Sequence, residues 1–148
     1  MLRLLLALIV FIYALPSYAA QPAGVVKIAK GTVTIERAEE KRPVKAGMQV
    51  QVGDRITTGR DGQIGITLRD NTMLSAGPNA TVVLDRFAFD STTNAGTIDA
   101  SVKRGQLSVV SGKIAKQSPE SVKFRTPNAI LGVRGTSFVV DAGDDGEK

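Results

Sequence analysis

The sequence predicts an all-β single domain of many short strands, roughly ten or more, on three observations. Polar and apolar residues alternate strictly over several short runs, so that one face of each strand is wet and the other dry. Fifteen glycines and six prolines punctuate the chain, mostly between those runs. No helical stripe of useful length is present. A sandwich or roll is the leading architecture, and a short β-helix-like coil is the alternative.

The strand-like runs can be placed in chain order. Alternation is clearest at residues 32–36, 64–69, 97–103 and 121–125. Asp70 and Asn71 lie between the second run and residues 72–76, and both residue types tolerate the conformations of a tight turn, which predicts a two-residue hairpin. Residues 90–96 have loop composition and are predicted to connect two subsets of strands. The polar tail, residues 142–148, is predicted to be frayed.

The first residues resemble a secretory signal peptide rather than part of the fold. Arg3 precedes a twelve-residue apolar run, residues 4–15, which Pro16 ends. Small residues follow, and cleavage is expected between Ala19 and Ala20. The alternative is an uncleaved membrane anchor, but a spanning helix needs about 20 apolar residues. We therefore predict a signal peptide at residues 1–19 and a domain at 20–148, with its core at about 24–140, that is periplasmic or secreted.

Composition excludes several kinds of site. The chain contains no histidine and no cysteine, which rules out disulfides, thiol chemistry, imidazole or thiolate zinc sites and histidine-based triads. The net charge of +5 would fall to +4 with the loss of Arg3, and the basic residues are scattered. We interpret this as a solvated mixed surface. Weak attraction to anionic envelope polymers is the alternative.

No catalytic chemistry is recognisable in the sequence. Nucleophile signatures such as Ser-x-x-Lys and Gly-x-Ser-x-Gly are missing, and without histidine the usual general base is missing too. Two carboxylates could serve a glycosidase, but Asp54, Asp61, Asp70 and Asp99 lie beside glycines or on predicted wet positions of strands. The sequence thus predicts a binding or structural module rather than an enzyme, with no catalytic residue, metal site or cofactor.

An ordered set of short motifs runs along the predicted domain. Val-Gly-Asp-Arg-Ile-Thr-Thr-Gly occupies residues 52–59, Gly-Gln-Leu occupies 105–107, and Val-Arg-Gly-Thr-Ser-Phe occupies 133–138. Together, from residue 24 to residue 140, they resemble the FecR domain family, a periplasmic module of sensory regulators. The residues that carry the resemblance, which we expect to be structural, are Gly53, Asp54, Thr58, Gly59, Asp70, Gly105, Pro127, Arg134, Gly135, Thr136 and Phe138.

The resemblance implies a place in the cell envelope. In sensory regulators, similar domains help to relay a signal from an outer-membrane receptor to a cytoplasmic sigma factor. That role needs a cytoplasmic segment and a membrane helix before the domain, where this chain has the predicted signal peptide. The expectation is therefore a free periplasmic module that binds an envelope protein such as a receptor or membrane regulator, or alternatively peptidoglycan or another anionic envelope polymer, with no nucleic-acid partner. A free strand edge could accept a partner strand.

Arg134 is an unusual charged residue inside an apolar run. Glycines flank it at positions 132 and 135, so another backbone can approach closely. The favoured interpretation is an internal tie, in which the guanidinium donates to carbonyls or pairs with a carboxylate such as Asp54. The alternative makes Arg134 the weak candidate for ligand binding. Pro127 is expected at a strand start, where no ladder donor is lost.

Overall fold

The computed structural model describes residues 21–133 and 135–144, which form thirteen strands, one short α-helix and one 3-10 turn. The prediction of an all-β domain is confirmed. The strands are β1 Gly24–Lys30, β2 Val33–Arg37, β3 Glu40–Pro43, β4 Gln49–Val50, β5 Arg55–Thr58, β6 Gln63–Leu68, β7 Met73–Ala76, β8 Thr81–Phe89, β9 Gly96–Arg104, β10 Gln106–Val110, β11 Val122–Arg125, β12 Ile130–Gly132 and β13 Ser137–Asp141. Helix α1 is Lys113–Gln117, and the 3-10 turn is Pro119–Ser121.

The strands form two sheets around one apolar core. The six-stranded sheet has the order β13-β10-β7-β6-β1-β4, and the seven-stranded sheet has the order β12-β11-β9-β8-β5-β2-β3. Alternate residues of the strands supply Ile, Val, Leu and Phe124 to a single buried cluster. A void within this cluster has a volume of only about 20 Å³, as expected for a closely packed core.

The chain changes sheet repeatedly while it advances along both sheets in the same direction. Strands β1 to β4 lie at one end of the sandwich, and β12 and β13 lie at the other. Among the described strand pairs only β9 and β11 are parallel, whereas a β-helix is built from parallel pairs. The leading prediction, a sandwich of two packed sheets, therefore describes the fold. The alternative, a β-helix-like coil, shares with it only the order in which successive strands are added along both sheets.

The turns that carry the chain between the sheets stack into a ladder, which we call the corner ladder. The Gly59 N–H donates to Thr32 O (2.8 Å), the Asn79 N–H donates to Gly59 O (3.1 Å) and the Gly105 N–H donates to Gly143 O (3.0 Å). Gly105 has φ +76°, and a Cβ there would lie 2.8 Å from Asn79 O. This corner therefore requires glycine for its conformation and for the close approach.

The predicted hairpin at Asp70 and Asn71 is present, but its loop is longer than predicted. The Leu68 N–H donates to Thr72 O (2.8 Å), which leaves three residues in the loop rather than two. Asn71 has φ +68°, a conformation that asparagine tolerates. The added residue gives the Asp70 carboxylate room to accept from the Thr72 N–H and hydroxyl (3.1 and 2.7 Å).

The predicted role of residues 90–96 is wrong. Their loop joins β8 to β9, which are neighbouring antiparallel strands of one sheet, instead of connecting two subsets of strands. The Asp90 N–H donates to Ala95 O (2.9 Å), and Phe89 pairs with Gly96 directly beyond the loop. The connection is thus a long hairpin loop.

The predicted signal peptide, residues 1–19, lies outside the described residues. Within the described part of the chain, no helix is long and apolar enough to span a membrane. Of the tail predicted to be frayed, residues 142–148, only residues 142–144 are among the described residues.

Candidate interaction surface

Each sheet has two edge strands, and the four edges differ sharply in character. Strand β3 has the sequence Glu-Lys-Arg-Pro, and β4 is two residues long. Charged side chains, proline and short length are the features that keep an edge from pairing with another chain. The opposite edges, β12 and β13, have the sequences Ile-Leu-Gly and Ser-Phe-Val-Val-Asp, and only the last residue of β13 is charged. Strand β12 is also short, at three residues, so what this end lacks among its described strand residues is protection by proline and by charge before Asp141.

Strand β12 exposes apolar side chains along its free edge. Ile130 is 63% exposed and Leu131 is 37% exposed. The Thr126 N–H donates to Ala129 O (2.8 Å), so by alternation the backbone of Leu131 faces β11, and the N–H and C=O of Ile130 and Gly132 point away from it. These groups have no strand partner among the described residues.

Strand β13 is bonded to β10 at both of its ends. The Ser111 N–H donates to Thr136 O (2.7 Å), and the Ala142 N–H donates to Gly105 O (3.0 Å). In an antiparallel pair, every second residue exchanges bonds with the neighbouring strand. Residues 138 and 140 therefore continue this series, and their backbone groups face β10.

The remaining residues of β13 direct their backbone groups outward. These are Ser137, Val139 and Asp141, and by the same alternation their side chains lie on the outer face of the sheet. Val139 is 59% exposed. The β13 edge thus offers three consecutive bonding positions with an apolar residue at their centre.

The two free edges border one groove. It has a volume of about 510 Å³ and is lined by Leu131, Gly132, Val133 and Phe138. The Phe138 ring meets the buried Phe124 ring edge-on, with the centroids 5.5 Å apart. We call β12, β13 and this groove the C-terminal edge. It combines unpaired backbone with an apolar recess, the two elements that strand addition uses.

Asp54 is a fully buried carboxylate whose partner is Arg37. Arg37 Nε donates to Oδ1 and Nη2 to Oδ2, both at 2.7 Å, and the Gln51 N–H donates to Oδ2 at 2.7 Å. The hydrogen bond with Asp54 raises the pKa of Arg37 above its usual value. This bidentate pair closes the turn before β5, and Asp54 is thus occupied by a residue that the sequence did not single out.

Asp70 secures the start of helix α1 from a distant turn. Its Oδ2 accepts from the Ile114 N–H (3.2 Å), and its backbone O accepts from the Lys113 N–H (2.8 Å). Thr72 Oγ1 accepts from the Gly112 N–H (3.2 Å). Both Asp70 and Thr72 are buried, so they satisfy donors that would otherwise be left unpaired at the helix start.

Thr58, Gly59 and Gly105 meet at the corner ladder. Thr58 Oγ1 donates to Gly77 O (2.6 Å) and accepts from the Ala80 N–H (2.9 Å), so it fixes the adjoining turn. Gly53 lies apart in an open turn with φ +90°. These residues hold turns, and Gly105 also lines a groove of about 380 Å³ together with Gly77 and Pro78.

The closing motif lies at the C-terminal edge. Gly135 has φ +88°, its O accepts from Ser111 Oγ (3.3 Å), and Thr136 and Phe138 join β13 to β10. Pro127 lies in the turn between β11 and β12, not at a strand start as predicted. Arg134 lies outside the described residues, so both interpretations of it stay predictions.

Sequence reasoning missed the residues that make this surface distinctive. Ile130, Leu131 and Val139 are not singled out by the sequence patterns, because alternation does not show which strands are at an edge. The available signal was an apolar residue at the wet position of an alternating run, as at Val139. Arg37 gave no signal at all, since its partner is 17 residues away in sequence.

Comparison with known proteins identifies the family of the chain. The FecR protein family profile matches residues 54–147, well over half of the chain. Comparison with curated proteins and with solved structures gave no match. The match begins at Asp54, although the motifs suggested a start near residue 24, and β1 to β4 pack into the same two sheets without being matched. The chain belongs to the FecR protein family.

Proposed function

We propose that the protein is an exported periplasmic module that binds other proteins by accepting a strand at its C-terminal edge. The observation that carries the proposal is the contrast between the edges. Strands β3 and β4 have the features that prevent pairing, whereas β12 and β13 present unpaired backbone beside exposed Ile130 and Val139. An unprotected apolar edge is a hazard for a soluble protein unless a partner covers it.

Strand addition explains both parts of the surface. The outward N–H and C=O groups of β13 supply main-chain hydrogen bonds, which give affinity for an extended peptide. The groove beside Leu131 and Phe138 receives alternate side chains, which gives selectivity for apolar residues. A partner with alternating apolar residues in an exposed strand or tail fits this surface.

The family supports a regulatory role in the cell envelope rather than catalysis. The proposed partners are accordingly an outer-membrane receptor or a membrane regulator. Export rests on the signal peptide predicted at residues 1–19. N-terminal sequencing of the protein from a periplasmic extract should begin at Ala20, and an intact Met1 in that fraction would contradict cleavage.

Binding to an anionic envelope polymer is the competing function. Arg37, Arg42 and Arg125 are already paired with carboxylates, at 2.7, 2.8 and 3.0 Å respectively. Each pair removes one cation and one carboxylate, so pairing leaves the net charge unchanged, and the other basic residues are scattered along the sequence. Polymer binding therefore has no specific geometric support and becomes an outcome of the test.

The test places a photo-crosslinking amino acid at Val139 or Leu131 in the exported protein. The matched control carries it at Lys41, on the protected edge β3. We expect both test sites to give the same protein adduct, with the partner attached through an extended segment, and Lys41 to give none. Equal labelling from all three sites would contradict the proposal, and capture of cell-wall fragments that weakens with salt would favour the polymer instead.

A further inference from the structure

We propose that β13 pairs with β13 of a second copy of this chain, antiparallel about a two-fold axis at Val139. The inference rests on the proposed function, because both require the β13 edge to accept a strand, and a second copy and an envelope partner would compete for that one edge. It goes further by naming a partner strand that the molecule itself supplies. The result is a symmetric dimer in which the two six-stranded sheets become one continuous sheet.

The outward bonding positions of β13 are symmetric about their centre. Ser137, Val139 and Asp141 direct their N–H and C=O groups away from β10. In a two-fold pairing Val139 faces Val139 of the second copy, and Ser137 faces Asp141 of the second copy. Every outward residue therefore meets an outward residue, which is the condition for an unbroken antiparallel ladder.

The side chains are also self-complementary in this register. On the outer face, the central pair is valine on valine, a β-branched pair that favours sheet formation. Ser137 can donate its hydroxyl to the Asp141 carboxylate of the second copy. On the inner face, half-buried Phe138 meets Val140 of the second copy, which extends the apolar contact at the seam.

Charge does not oppose the pairing. Asp141 is the only charged residue of β13, and the two copies of Asp141 fall at opposite ends of the ladder. Four residues of strand separate them, about 14 Å at roughly 3.4 Å per residue. That distance exceeds the Debye length of about 8 Å at physiological ionic strength, so their repulsion is screened. A strand with a charge at its centre could not pair with itself in this way.

The experiment measures the molar mass of the purified protein by sedimentation velocity as its concentration is raised. We expect a reversible dimer. Val139→Lys and Val139→Glu each place like charges face to face at the axis and should weaken the dimer at least about tenfold. An equimolar mixture of the two variants should restore a dimer, because the ammonium group introduced in one copy then faces the carboxylate introduced in the other.

A matched control separates this edge from the rest of the sheet face. Ile28 lies on the same face, on β1, and is 52% exposed, so Ile28→Lys adds the same charge away from the axis. We expect the Ile28→Lys variant to dimerise normally. Far-UV circular dichroism of each variant establishes that the fold is kept.

The outcomes distinguish the inference from the proposed function. A monomer at every concentration, or a dimer that survives Val139→Lys, overturns the self-pairing. If the protein is monomeric but a crosslinker at Val139 still captures an envelope protein, strand acceptance holds and only the second copy is excluded. If the mass shows a dimer that fails to recover in the mixed variants, the contact between copies lies elsewhere and the inference is overturned.

Discussion

Phe124 and Phe138 meet edge to face, with ring centroids 5.5 Å apart and planes inclined by 71°. Phe124 belongs to β11 of the seven-stranded sheet and is fully buried, whereas Phe138 belongs to β13 of the six-stranded sheet. The pair therefore ties the two sheets together at the end where both have free edges. Phe138 also lines the groove between β12 and β13.

Replacing Phe138 by alanine should loosen this end of the sandwich. We expect a loss of about 1–3 kcal/mol in the free energy of unfolding, since the ring is only half buried, with about 0.5–1.5 kcal/mol of it from the contact with Phe124. Urea unfolding of Phe138→Ala, Phe124→Leu and the double variant measures that coupling. Strictly additive effects would show that the two rings do not interact.

The buried pair of Arg37 and Asp54 makes a second prediction. Arg37→Met leaves the Asp54 carboxylate without its cation, which should cost about 2–3 kcal/mol, less than a fully buried pair because the Arg37 side chain is 38% exposed. Urea unfolding at neutral pH measures this loss. Arg42→Met removes a comparable pair that is solvent-exposed on both sides and should leave stability unchanged. Equal losses of stability in Arg37→Met and Arg42→Met would show that the burial of Asp54 does not make its ion pair more stabilising than an exposed one.

Gly53 and Gly105 should respond differently to replacement by alanine. At Gly53 the cost comes from backbone conformation alone, about 1–2 kcal/mol, because φ is +90° and nothing lies within 4 Å of a new Cβ. Gly105→Ala adds a clash with Asn79 O at 2.8 Å and should cost about 3 kcal/mol or more. Thermal unfolding of both variants tests this order, and the reverse order would refute the proposed tightness of the corner ladder.

Asp70→Ala tests the link between a hairpin loop and helix α1. The substitution leaves the Ile114 N–H and the Thr72 N–H without their acceptor, for an expected cost of about 2–3 kcal/mol. Hydrogen exchange should accelerate at Ile114 in particular. Asp90→Ala is the control, because Asp90 makes a similar bond to the Thr92 N–H in an exposed loop and should have a small effect. Unchanged exchange at Ile114 would contradict the role assigned to Asp70.

The local structure was largely predictable from the sequence, because it depends on neighbouring residues. Alternation at residues 64–69 and 97–103 marks strands β6 and β9, and the turn residues Asp70 and Asn71 mark the hairpin between β6 and β7. Its exact length was not predictable, since the extra loop residue is stabilised by contacts with a distant helix. The composition of residues 90–96 indicates a loop. Which two strands that loop connects depends on the order of strands in the sheet, which local sequence does not show.

The candidate site was less predictable, because an edge is a property of the whole sheet. The motif from Val133 to Phe138 lies in the segment that forms the C-terminal edge. The sequence singled out Arg134 within it, and not the strands β12 and β13 on either side. Nothing in the local pattern of residues 137–141 shows whether one neighbour or two will cover β13. The partner of Asp54 was likewise set by the packing of β2 beside β5.

The steady advance of the chain along both sheets has a consequence for how the protein opens. Each new strand is laid beside strands that are already in place, so β12 and β13 cover no later strand. They can detach while β1 to β9 keep all their sheet partners, so we expect this end to unfold locally as a separate unit. A partner bound to β12 and β13 would stabilise these strands against local unfolding. Binding could then be measured as slower hydrogen exchange of the amides in these two strands.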